Sequence, residues 1–106
     1  MKILIKDLLE HKEEIIGKRI NIVRQGGKYH YDYQDRKVFR VITDIKTHFE
    51  KDNKTKENIK WVTWFWKTQP ITAEENLNGL YGSIDHGFAG MGLGSGLLDS
   101  SYLDIN

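Results

Sequence analysis

In Ile59-Lys-Trp-Val-Thr-Trp-Phe-Trp-Lys-Thr68, eight of ten residues are β-branched or aromatic. That composition packs well on a pleated surface and loses side-chain freedom in a helix, so the stretch reads as a strand closed by Pro70. Val62, Trp64 and Trp66 fall on one face, and Trp61 and Phe65 on the other. A half-exposed strand should show a polar face, and this one is aromatic on both.

Working upstream, the charged run Glu50–Lys60 reads as a solvated loop, and Lys37–Phe49 (KVFRVITDIKTHF) as the strongest strand of the chain. Tyr29, Tyr31 and Tyr33 alternate with His30, Asp32 and Gln34, giving one aromatic and one polar face. Gln25-Gly-Gly-Lys28 before them has the form of a hairpin turn, since paired glycines accept positive φ. Arg19-Ile-Asn-Ile-Val-Arg24 alternates as the partner strand. Further back, Ile5, Leu8, Leu9, Lys12 and Ile16 fall at helical spacing with Ile15 beside them, opposite Glu10, Glu13 and Glu14. With Gly17 placed to end it, the spacing predicts an amphipathic helix over 5–16.

Downstream, Thr72-Ala-Glu-Glu75 has the form of a capping box and predicts a short helix over 73–78. From Gly79 no period holds, and residues 87–98 (GFAGMGLGSGLL) are uncharged and rich in glycine. Glycine at that density raises the entropic cost of any regular element. The expected fold class is α+β: an N-terminal amphipathic helix packed on a small bent antiparallel sheet or SH3-like barrel, followed by an irregular Gly-rich C-terminal arm. The expected division is a basic α+β domain over 1–78 and an acidic Gly-rich arm over 79–106.

All sixteen Lys and Arg lie at or before Lys67, so residues 1–71 carry them against ten acids, and residues 72–106 carry five acids and no cation. Such a split concerns partners more than fold. Five acids spread over 35 residues mimic a phosphate chain poorly, and docking of the tail on the chain's own basic part is the simpler expectation. The chain has no cysteine, which excludes disulfides, thiolate metal ligands and a cysteine nucleophile. Charge interrupts the N-terminus too early for a signal peptide or a membrane span, so a cytoplasmic location is expected. Twelve Lys and twelve Ile against four Arg suggest an AT-rich genome of bacterial or phage type.

Gly90, Gly92, Gly94 and Gly96 alternate and lack the third glycine of a dinucleotide fingerprint, and no lysine follows as in a Walker loop. His11, His30, His48 and His86 show no metal-ligand spacing, and neither a metal nor a cofactor is expected. Asp85-His86 is the best enzymatic or small-ligand candidate, though sequence supplies no nucleophile beside it.

The remaining signal is aromatic and basic. Trp61, Trp64, Trp66, Tyr29, Tyr31 and Tyr33 accompany Arg36, Lys37 and Arg40, and Phe88 and Met91 stand out in the glycine run. These residues are the expected partner-binding set. Rings interleaved with cations suit protein hot spots and single-stranded nucleic acid alike. The expected function is a small non-enzymatic binding protein that occupies a surface on a larger macromolecule. A phage or mobile-element factor that inhibits a host nucleic-acid machine, such as a defence nuclease, fits this description. The alternatives are a sequence-tolerant single-stranded nucleic-acid-binding module and a small-ligand binder or small enzyme built on Asp85 and His86. The expected partner is a protein or nucleoprotein, with nucleic acid and self-association through the arm as further options and no membrane.

Overall fold

The computed structural model describes residues 1–31, 38–70, 86–93 and 100–106. Among the described residues seven strands form one antiparallel sheet: β1 (Lys2–Leu4), β2 (Arg19–Gln25), β3 (Lys28–Tyr31), β4 (Val38–Lys51), β5 (Asn58–Pro70), β6 (His86–Leu93) and β7 (Tyr102–Ile105). Their order is β1-β7-β2-β4-β5-β6, and β3 pairs with β2 beside β4. Among the described residues β1 and β6 do not pair, so the sheet stays open and is not a closed SH3-like barrel.

The β4–β5 hairpin sets the shape. Strands of 14 and 13 residues pair along their whole length, and the molecule extends 51 Å in its longest direction. At the tip Asp52 Oδ1 accepts from Lys54 N–H at 2.7 Å, while Asp52 N–H donates to the Glu57 carbonyl at 2.8 Å. In the β2–β3 turn Gly26 and Gly27 both take positive φ, of 54° and 82°, as the paired glycines suggest.

The helical expectation is corrected. Ile5–His11 winds as a 3₁₀ helix and only Lys12–Ile15 is α-helical (α1), so the fold is predominantly antiparallel sheet and not α+β. The buried positions explain the winding. Ile5 and Leu8 are both 0% exposed and lie three apart, which a three-residue turn stacks. Leu9 and Ile16, which a 3.6-residue stripe would bury, are 41% and 40% exposed. Local periodicity alone cannot hold so short an α-helix, and the tertiary contacts impose another winding.

The irregular C-terminal arm is also corrected. Residues 86–93 pair along β5, and residues 102–105 run between β1 and β2. Leu103 and Ile105 are 0% and 1% exposed, among the deepest side chains in the molecule. The C-terminal segment therefore docks by strand pairing and apolar burial. Its one charge in β7, Asp104, receives the Met1 ammonium at 3.0 Å.

Glycine in β6 has a cross-strand cause. Trp66 stands opposite Gly87 and Trp61 opposite Gly92. A Cβ on Gly87 would overlap the Trp66 ring, and one on Gly92 would come within 3.0 Å of Trp61 Cε2. Each bare position accepts an indole from the next strand, which returns the packing that glycine itself lacks.

One core lies on a single face of the sheet. Ile3, Ile20, Ile42, Ile45, Val62, Trp64, Met91, Leu103 and Ile105 meet Ile5, Leu8 and Ile15 there. The predicted helix 73–78 lies outside the described residues. Among the described residues no helix is long and apolar enough to cross a membrane.

Candidate functional site: an aromatic–cationic outer face and a concave cleft

Strand alternation and register assign the opposite, outer face. Arg24 pairs with Tyr29 on one side and Tyr102 on the other, so all three share that face. The Tyr29 and Tyr102 rings meet edge to face at 6.3 Å. The Arg24 guanidinium lies 5.6 Å from the first ring and 6.0 Å from the second, and Lys2 Nζ lies 4.8 Å from Tyr102. Burial, with a hydrogen bond to Tyr29, raises the Tyr102 pKa above its ordinary 10.0, although Arg24 opposes the shift.

The pattern repeats across the sheet. Arg19 sits over the Phe39 ring at 4.1 Å, where β2 meets β4. Phe65 and Phe88 face each other from β5 and β6 at 5.8 Å, with Lys46 Nζ 5.4 Å from Phe65. His48 stacks on Trp61 at 6.4 Å, and its Nε2 lies 3.0 Å from the Glu50 carboxylate. Phe88 is 70% exposed, Tyr31 69% and Tyr29 54%. From β7 to β6 this face spans four strand spacings, about 20 Å.

The expected partner-binding residues divide between the two faces. Tyr29, Trp61 and Phe88 belong to the outer face, and Tyr31, at the end of β3, also borders the cleft of the inner face. Trp64 is 1% and Met91 7% exposed, so both serve the core. Trp66 and Arg40 sit on the inner face, with the guanidinium stacked over the indole at 4.0 Å. Tyr33, Arg36, Lys37 and Asp85 lie outside the described residues, and of His86 only the backbone in β6 is described. Sequence reading passed over Lys2, Arg19, Arg24, Phe39, Lys46, Phe65 and Tyr102 as a group. Alternation could have assigned several of them to a face, but only the strand order brings them together.

Beyond the edge of the core, the inner face opens into a cleft of about 350 Å³. Val23, Trp64 and Ala89 contribute apolar surface to its lining, and Gln25, His30, Tyr31 and Arg40 polar groups. Trp66 Nε1 and Thr68 Oγ1, on the residues that stack on and stand across from Arg40, are buried without a hydrogen-bond partner. Among the described residues no three His, Asp or Glu side chains gather as metal ligands would.

Comparison with protein-family models, curated proteins and solved structures finds no match to this chain.

Proposed function

We propose that this protein is a non-enzymatic binding protein that acts by occupying a surface of nucleic-acid machinery through its outer sheet face. The carrying observation is that exposed Tyr29 and Phe88 alternate there with cations held against rings. Flat rings with a rigid strand backbone give contact area at small entropic cost, and the cations complement an acidic or phosphate-bearing partner. The nearby acids are engaged: Asp104 with the N-terminus, Asp44 with Lys12 and Glu50 with His48. The Lys- and Ile-rich, Arg-poor composition fits an AT-rich phage or mobile-element genome, and on that reading the machine it inhibits is a host one such as a defence nuclease.

The test is protection of incoming DNA in cells carrying an active defence nuclease. The double variant Phe88→Ala, Lys46→Glu changes two exposed positions, so its melting temperature should match wild type. The wild type should raise DNA survival at least tenfold, and the variant should return it to the unprotected level. Protection that survives in the variant would refute the assignment to this face, and no protection by the wild type would refute inhibition of that nuclease.

A second reading, a sequence-tolerant single-stranded nucleic-acid module, is favoured by the cations lying directly over rings. The same two proteins separate it by anisotropy with a labelled oligothymidylate. Four phosphate contacts would weaken binding about 50-fold between 50 and 200 mM salt, whereas a protein-only surface gives no oligonucleotide signal.

A further inference from the structure

We infer that the far side of β6 pairs antiparallel with the same strand of a second copy, joining two sheets into one across a two-fold axis. The first observation is the edge itself. β6 stands last in the strand order, and among the described residues only β5 pairs with it. No backbone hydrogen bond outside that pairing reaches residues 86–93 from the described residues. The other side of the strand therefore presents a row of peptide N–H and C=O groups that a further strand can take up.

Sheet edges are commonly blunted by shortness or by charge. β1, at the opposite end of the sheet, has three residues and includes Lys2, and β3 has four and begins with Lys28. β6 has eight, and residues 87–93 (GFAGMGL) carry neither charge nor proline. A two-fold pair sets each strand against its own charges, so an uncharged strand accepts its own copy where a charged one repels it.

The second observation is size. Antiparallel pairing about Gly90 sets Gly90 against Gly90, Ala89 against Met91, Phe88 against Gly92 and Gly87 against Leu93. Every large side chain then faces a glycine or an alanine, on both faces of the sheet. The molecule already uses this fit on the other side of β6, where Trp66 stands opposite Gly87 and Trp61 opposite Gly92. Phe88, exposed in the single chain, comes to lie over Gly92 of the second copy, beside the Trp61 indole that approaches the same glycine from β5. This self-complementarity selects a second copy of the chain over an unrelated strand. The joined sheets present one continuous outer face, with the two Phe88 rings near its centre.

Sedimentation velocity and cross-linking test the pairing. The wild type should be monomeric at about 1 µM and dimeric at about 500 µM, the weak range of a small interface. The chain has no cysteine, so single-cysteine variants report the register directly. A Cβ at Gly90 meets Thr63 Oγ1 at 3.1 Å and otherwise ordinary contacts, so Gly90→Cys should fold, which a thermal melt of the reduced protein checks. On mild oxidation it should link to itself, since directly paired Cα atoms lie about 4.5–5.5 Å apart. Thr63→Cys is the control: Thr63 stands across from Gly90 on β5, so its two copies lie three strand spacings apart, about 14 Å, and should link at least tenfold more slowly. Lys46→Glu, on β4 two strands from the edge, should leave the dimer intact while weakening the outer face, which separates this inference from the proposed function. A wild type that stays monomeric at about 500 µM refutes the pairing. Equal linking of Gly90→Cys and Thr63→Cys overturns the register, and a dimer that Lys46→Glu dissociates belongs to the outer face instead of the edge.

Discussion

At Gly87 a single hydrogen atom in place of a side chain sets the packing of β5 against β6. A methyl group there would overlap Cζ2 and Cη2 of Trp66, and the ring cannot retreat without disturbing Arg40 above it. Gly87→Ala should therefore destabilise by about 1–3 kcal/mol, as overpacking does. Gly92→Ala meets Trp61 and Ile59 at 3.0 and 3.1 Å, a looser contact near the sheet edge, and should cost less than half as much. Thermal melts of the two variants check the ranking, and equal losses would contradict it. A second residue-scale effect is electrostatic. The Lys12 ammonium at 2.8 Å, helped by the Ile45 N–H, holds the Asp44 carboxyl below its ordinary 3.8. A depressed folded-state pKa stabilises the fold above the unfolded value and loses that contribution as pH falls through the folded one. The Asp44→Asn variant should melt slightly below wild type above about pH 4 and converge with it toward pH 2. A gap that persists at pH 2 would assign Asp44 a role other than charge.

Among the elements, β7 carries most for its length. Its four residues pair with β1 on one side and β2 on the other. Two of them, Leu103 and Ile105, enter the core completely. The Met1 ammonium donates to the Ile105 carbonyl at 2.8 Å, so the two ends of the chain meet in adjacent strands. Removing residues 102–106 would expose both apolar side chains and orphan the facing edges of β1 and β2. Loss of two such side chains alone is worth about 4–10 kcal/mol, comparable to the whole stability of a small domain. The shortened chain should show no cooperative melt by circular dichroism, and a retained sharp transition would refute the central role of β7. The long β4–β5 hairpin is more local: its register follows from its own turn and from alternating Ile42, Ile45, Val62 and Trp64, with a bulge between Ile42 and Asp44.

On the scale of the whole molecule, one sheet separates two surfaces of different chemistry. The outer face exposes rings and cations across the sheet from β7 to β6, and the inner face buries the core before opening into the cleft. Strands β2, β3, β4 and β5 and the Gly26-Gly27 turn were legible in the sequence, because alternation, β-branching and positive-φ residues are local signals. So was the aromatic–cationic character of the chain, although not its division: Trp61 and Trp64 look alike in sequence, yet one stacks on His48 and the other fills the core. The glycine strand was illegible because its stability comes from Trp61 and Trp66, more than twenty residues away in the chain. By itself, then, the sequence determined that β4 and β5 extend, that β2 and β3 turn back on each other, and that cations concentrate before residue 68. Tertiary structure alone decided that a glycine run becomes a strand, that an apparent helix winds as 3₁₀, and that the last residues enter the core. The reason is the same in each case: the energy that selects those conformations lies in contacts between residues remote in sequence, which no local period records.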